Sequence, residues 1–228
     1  MLESLTSPNL QTILVAGASR GVGREIARLL QPHFTVVALL RSNSAVTELE
    51  ALGVQTVIGD AMESEQLEAA FQGRSIDAVI STIGGLPAES RRADFEGNRN
   101  LIDAAKKANV KKFVLVTSIG AGESVVALPP GALEALGAVL KDKEKAEQHL
   151  IESGLTYTIV RPGGLKSEPA TGTGILTEDP KLAGSINRAD VAELVSRCLV
   201  SDRANQKVLS ALDRTQLFTP NEIAEFTP

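Results

Sequence analysis

The chain has 228 residues, 43% of them hydrophobic, which suits a single domain with a substantial buried core. Its net charge of −5, from 23 basic and 28 acidic residues, comes without a long basic run and argues against binding to nucleic acid. One cysteine, two histidines without metal-ligand spacing and no long apolar run argue against a disulfide, a metal cluster and a membrane span, so we expect a cytoplasmic protein.

Short apolar runs rich in β-branched residues alternate with amphipathic segments along the chain. The runs predict strands over 12–16, 35–40, 55–58, 78–81, 112–117, 156–161 and, more weakly, 207–211. The amphipathic segments predict helices over 22–30, 63–71, 91–108, 140–153 and 188–199. Because this alternation is typical of right-handed crossovers, we predict an α/β fold, a doubly wound parallel sheet (Rossmann fold), as a single domain over 1–228.

A glycine-rich turn joins the first predicted strand to the first predicted helix. Glycines remove Cβ atoms where backbone N–H groups approach a diphosphate, and the positive end of the helix dipole would face that group. Such glycines also occur in purely structural turns, but the strand before and the helix after favour a dinucleotide site. The predicted cofactor-binding residues of this turn are Gly17, Ser19, Arg20, Gly21, Val22 and Gly23.

A cation follows the second predicted strand. An NAD site usually carries an acidic residue there for the ribose 2′-hydroxyl, whereas an arginine accommodates a 2′-phosphate. Arg41 holds this place, no acidic residue occurs between Glu25 and Glu48, and Arg20 supplies a second cation. Both arginines could instead be solvated surface residues. Two cations at the two expected places on an acidic chain favour NADPH as the cofactor.

Residues directly after each strand are further site candidates, because ligands bind beyond the carboxyl ends of the strands in a doubly wound sheet. Asp60 and Ala61 would contact the adenine, although Asp60 serves almost as well as the N-cap of the next helix. Small residues after the fourth strand would let the adenosine half and the diphosphate lie against the backbone. The candidates after the later strands are Ser81, Thr82, Ile83, Gly84, Thr117, Ser118, Pro162 and Gly163.

Two long connections without a helical or strand pattern lie at about 120–137 and 165–187. Long loops at the ligand-binding edge are usually lids or substrate walls, and their apolar content indicates a flat or hydrophobic substrate. Packing of the loop on the core is an equally good interpretation for the first connection and a weaker one for the second.

The chain resembles the atypical, single-domain short-chain dehydrogenase/reductases, including the NmrA-like proteins and the biliverdin-IXβ/flavin reductases, from residue 12 to about 212. The resemblance is carried by Asn98 to Lys106 (NRNLIDAAK), Val114 to Ser118 (VLVTS) and the segment from Lys143 to Gly163. The glycine turn is similar to the Gly-x-x-x-Gly-x-Gly version of the classical enzymes. These segments are specific for the fold and much less specific for a reaction.

The family's catalytic Tyr-x-x-x-Lys pair is incomplete in this chain. Lys143 matches the lysine, but Val139 stands at the tyrosine position. The only tyrosine, Tyr157, lies within a predicted strand, where we expect it to be a packing residue. The alcohol dehydrogenase and sugar epimerase activities that need that phenol are therefore not expected.

The resemblance implies an NADPH-dependent reductase that passes hydride to a planar acceptor, a flavin or a linear tetrapyrrole such as biliverdin. Ser118 would orient the substrate or the nicotinamide, Lys143 would bond the ribose hydroxyls or supply charge, and Pro162 and Gly163 would line the nicotinamide pocket. The alternative is a non-catalytic NADP(H)-binding redox sensor or assembly factor, which the missing tyrosine favours and the retained Ser118 and Lys143 oppose. The sequence leaves the oligomeric state open, a monomer included.

Overall fold

The computed structural model describes residues 5, 7, 9–85, 92–218 and 222–228. Within these residues the helices are α1 (Gly21–Leu30), α2 (Val46–Ala51), α3 (Ser64–Phe71), α4 (Glu96–Lys107), α5 (Pro130–Glu152) and α6 (Arg188–Val200). The strands are β1 (Thr12–Ala16), β2 (Thr35–Leu40), β3 (Gln55–Ile58), β4 (Ala78–Ser81), β5 (Lys112–Val116), β6 (Tyr157–Pro162), β7 (Gly164–Lys166), β8 (Gly174–Thr177), β9 (Ser185–Asn187) and β10 (Lys207–Asp213).

Eight of these strands form one sheet in the order β3-β2-β1-β4-β5-β6-β10-β8. All neighbours in it are parallel except β8, which runs antiparallel to β10. The strand order reverses between β1 and β4, and this switch point opens a crevice at the carboxyl ends of the strands. The prediction of a doubly wound parallel sheet is confirmed.

Two helical layers cover the sheet. Ile13 and Val15 of β1 face the layer of α1 and α6, while Leu14 and Ala16 face the layer of α3, α4 and α5. All four side chains are fully buried. Coverage on both faces explains why the strands read as continuous apolar runs and not as alternating ones.

The connection at 120–137 is not an unpatterned loop. A short 3-10 helix spans Gly122–Ala127, and α5 begins at Pro130, ten residues before the predicted start. Pro130 stands in the first turn, where a missing N–H costs no helical hydrogen bond. Gly131 and Gly137 weaken the helical pattern, but the alanines, leucines and glutamate between them are strong helix formers.

The connection at 165–187 also contains regular structure. It holds part of β7, all of β8 and β9, and β7 pairs with β9 in a separate parallel sheet. These strands have three or four residues each, and the glycines, prolines and threonines of the connection interrupt the apolar runs that marked the equally short β3 and β4. The short helix α2 was also missed, because its six residues are too few for a helical period to be recognised.

Candidate functional site

A cleft of about 620 Å³ opens at the switch point of the sheet. It is bordered by the turns that follow β1, β2, β3 and β4, by the ends of β5 and β6, and by α5. Fifteen predicted site residues line it: Gly17, Ser19, Arg20, Gly21, Val22, Gly23, Arg41, Asp60, Ala61, Thr82, Ile83, Gly84, Thr117, Lys143 and Pro162.

Ser81 does not line the cleft, although the sequence predicted that it would. It is the last residue of β4, and its side chain is fully buried. Its Oγ donates to Oδ1 of Asn98, 2.6 Å away in α4, and Asn98 Nδ2 in turn donates to the Ile83 carbonyl at 3.3 Å. Ser81 therefore supports the loop that lines the cleft and does not contact the cavity itself.

Ser118 and Gly163 also stand outside the cleft lining. The hydroxyl of Ser118 donates to the Ile119 carbonyl oxygen at 2.9 Å, so it points toward the neighbouring backbone. A Cβ added at Gly163 would lie 2.4 Å from the carbonyl oxygen of Gly184, so this glycine provides close packing between two backbone segments. Its neighbour Pro162, the other residue predicted for the nicotinamide pocket, does line the cleft.

The glycine turn is shaped by close backbone approach. A Cβ at Gly17 would lie 2.5 Å from Thr82 Oγ1, and one at Gly23 would lie 2.4 Å from the Gly17 carbonyl oxygen. Gly17 and Gly21 also have positive φ angles of 85° and 59°. The first turn of α1 holds no acidic residue, and the side chain of its N-cap residue, Arg20, makes no capping hydrogen bond, so the N–H groups of this turn can serve an anion.

Positive charge dominates the cleft. Four basic residues line it, Arg20, Arg41, Lys143 and Arg188, against the single carboxylate of Asp60 among the described lining residues. Asp60 accepts the Met62 N–H at 2.9 Å, while the N-cap of α3 is Glu63, so the N-cap interpretation of Asp60 is wrong. The charge balance suits a ligand that carries several negative charges.

Lys143 is held at the cleft by a carboxylate that sequence reasoning missed. Its Nζ lies 3.2 Å from Oδ1 of Asp94, whose side chain is 1% exposed. Asp94 also accepts from the Gly85 N–H at 2.8 Å and from Arg92 Nη2 at 2.9 Å. An aspartate two residues before a helix carries no local signal of this role, since its partner lies 49 residues further along the chain.

A second group of polar side chains, the Glu147 network (Thr117, Glu147 and Arg161), lies at the end of β5 and β6. Glu147 of α5 accepts from Thr117 Oγ1 at 2.6 Å and from Arg161 Nε and Nη2 at 3.0 and 2.6 Å. The Glu147 and Arg161 side chains are only 4% and 10% exposed. This network fixes the hydroxyl of Thr117 at the cleft wall. Tyr157, as expected, packs against the core at the start of β6.

Asp213, the last residue of β10, holds part of the segment that follows β7. Burial acts to raise the pKa of this carboxyl, but hydrogen bonds from Thr173, Thr215 and Thr171 outweigh burial and hold the pKa well below its usual range. Asp190 accepts two further backbone N–H groups, from Thr171 and Gly172. Residues 171–173 of the 165–187 segment are therefore fixed to the end of β10 and to the first turn of α6.

Comparison with known proteins gives a consistent picture. The sequence profile of the NAD(P)H-binding family matches residues 17–202. An uncharacterized chloroplastic protein of Arabidopsis thaliana is 34% identical over 226 residues, covering 94% of this chain and 81% of that protein. Sanguinarine reductase of Eschscholzia californica is 30% identical over 242 residues, covering 86% of each.

A similar solved structure is that of ChuY, described as an anaerobilin reductase, from Escherichia coli O157:H7. It superposes with a TM-score of 0.82 at 34% identity, covering 92% of this chain and 100% of that one.

In the described part of the present chain, no helix combines the length and apolar character needed to cross a membrane.

Proposed function

Because the chain belongs to the NAD(P)H-binding family, we propose that it is an NADPH-dependent reductase that passes hydride to a planar acceptor, a flavin or a linear tetrapyrrole. The reductase activity of two relatives supports the reaction type, and the tetrapyrrole chemistry in the name of ChuY supports the acceptor class. The carrying observation is the cationic cleft at the switch point, which Lys143 lines, together with Val139 at the tyrosine position of the sequence. A cytoplasmic location stays a prediction.

The cleft residues fit an NADP(H) molecule. The glycine turn and the first turn of α1 offer N–H groups to the diphosphate, and Arg41, with Arg20, offers cations to the 2′-phosphate. Thr117 and Pro162, at the ends of β5 and β6, lie on the side where the nicotinamide would bind.

When bound, the reduced nicotinamide supplies the hydride. Lys143, fixed by Asp94, offers charge and donors to the ribose hydroxyls, while Val139 brings no ionisable group to the substrate. A planar acceptor stacked on the cofactor needs positioning more than acid catalysis, because a proton can come from solvent. Reduction of a carbonyl to an alcohol, which in the family needs the tyrosine as proton donor, is not expected of this chain.

The competing function is a redox sensor that binds NADP(H) without turnover. The missing tyrosine favours it directly. The retained Lys143 opposes it, because this residue stands at the family's catalytic lysine position and a buried carboxylate holds it at the cleft.

The test is anaerobic stopped-flow mixing of NADPH-loaded protein with FMN, riboflavin and biliverdin. A reductase should show a protein-dependent loss of nicotinamide absorbance with at least one acceptor. Arg197→Ala, an exposed change on α6 far from the cleft, is the matched control and should leave the rate unchanged. Tight NADPH binding without turnover of any acceptor would favour the sensor.

A further inference from the structure

Arg188, the first residue of α6, extends to the glycine turn of α1. A Cβ built at Gly21 would lie 3.6 Å from Arg188 Nε and 3.7 Å from its Cδ. Gly21 is the first residue of α1, so the guanidinium stands beside the helix end that offers N–H groups to an anion. Arg188 also lines the cleft.

The same side chain also contacts the segment that begins with β7. Its Nη1 donates to Ser167 Oγ at 2.7 Å and, more weakly, to the Leu165 carbonyl at 3.4 Å. Both residues line the cleft, and Leu165 belongs to β7. Arg188 therefore bridges the glycine turn and the start of the 165–187 segment.

The acceptors of Arg188 are neutral. Among the residues that the structure describes, no carboxylate forms an ion pair with it, in contrast to Arg161 and Arg92. A guanidinium has five N–H donors, so the bonds to Ser167 and Leu165 leave donors on its other nitrogens for an anion. A charged, half-buried donor group next to a phosphate-binding turn is suited to a phosphate oxygen.

Resting on the proposed function, we propose that Arg188 binds the diphosphate of the cofactor and thereby fixes Leu165 and Ser167 as the substrate-side wall. The diphosphate is the expected contact, because it lies over the N-terminus of the first helix in this fold, whereas a 2′-phosphate lies at the end of β2 beside Arg41. Arg188 is a positioning residue that links cofactor binding to the shape of the acceptor site.

The test compares two cofactors that share the diphosphate and differ in the 2′-phosphate. Arg188→Ala should raise the Kd of NADPH and of NADH by the same factor, about ten- to a hundredfold, as expected for loss of a charge-assisted hydrogen bond. Arg197→Ala, at the other end of the same helix, should leave both Kd values unchanged. Arg188→Gln, which retains a donor for Ser167 but loses the charge, should show the same equal loss and serves if the alanine variant does not fold.

Hydrogen exchange gives the second measurement. Saturating NADPH should slow amide exchange over 164–167 in the wild type and should not do so in Arg188→Ala. Unchanged Kd values, or a loss confined to NADPH, would overturn the role at the diphosphate. A wild type that binds neither cofactor would overturn the proposed function as well, whereas normal wild-type binding with an unaffected Arg188→Ala overturns this inference alone.

Discussion

The glycine turn after β1 and the Glu147 network at the ends of β5 and β6 border the same cleft but are assembled differently. The turn uses seven consecutive residues, from Gly17 to Gly23, and its geometry depends on backbone approach. The network joins Thr117, Glu147 and Arg161, which come from two strands and a helix and are buried together. The geometry of the glycine turn depends on residues next to one another in the chain, whereas that of the Glu147 network depends on the packing of separate elements.

The largest expected effect is a difference in stability between the loss of the buried Glu147 network and the loss of a surface ion pair. Glu147→Ala leaves the Arg161 guanidinium buried without its partner and should lower the free energy of unfolding by about 3–5 kcal/mol. Glu48→Ala, which removes an exposed partner of Arg24 beside the glycine turn, should cost less than about 1 kcal/mol. Urea unfolding of both variants measures the difference, and equal small losses would show that the network is not a buried unit.

Arg41→Ala tests only the part of the cleft proposed to bind the cofactor. Loss of charge-assisted hydrogen bonds to the 2′-phosphate, worth about 1.5–3 kcal/mol, should weaken NADPH binding by roughly ten- to a hundredfold and leave NADH nearly unchanged. Titration calorimetry with the two cofactors decides this. Equal losses for both would remove the 2′-phosphate from the role of Arg41.

Two glycine-to-alanine changes should have opposite signs. In Gly23→Ala the new Cβ would lie 2.4 Å from the Gly17 carbonyl oxygen, so we expect about 1–3 kcal/mol of destabilisation and weaker binding of both cofactors. Gly137→Ala, on α5 with open space around its Cβ, should stabilise the protein by about 0.5–1 kcal/mol. Thermal unfolding measures the change in stability of both variants, and its repetition with NADPH measures the loss of binding in Gly23→Ala. A Gly23→Ala variant of unchanged stability would contradict the close backbone approach in the turn.

The smallest effect is expected at Ser118. Its hydroxyl bonds the Ile119 carbonyl and does not line the cleft, so Ser118→Ala should leave kcat nearly unchanged. Lys143→Ala, a cleft residue, should raise the KM for NADPH. Steady-state kinetics compares the two, and a larger loss at Ser118 than at Lys143 would place its hydroxyl at the acceptor.

Local features of the sequence were read correctly in most cases. The ranges predicted for β1 to β4 match the structure residue for residue, because each is an apolar run bounded by turn residues. The start of α5 was placed ten residues too late, because two glycines interrupt a pattern that the surrounding alanines and leucines still support. Helix propensity summed over the segment outweighs single unfavourable residues.

By itself, the sequence determined the order of β1 to β6 and β10 and of all helices except α2, together with the glycine turn and the cation after β2, since these depend on periodicity and on neighbours within a few residues. Only the tertiary structure decided which polar side chains meet at the cleft. Asp94 reaches Lys143 and Arg188 reaches Gly21 across long separations, while Ser81 turns into the core. The physical reason is that the direction of a side chain at a strand end, and its partner from a distant helix, depend on how the sheet and both helical layers pack.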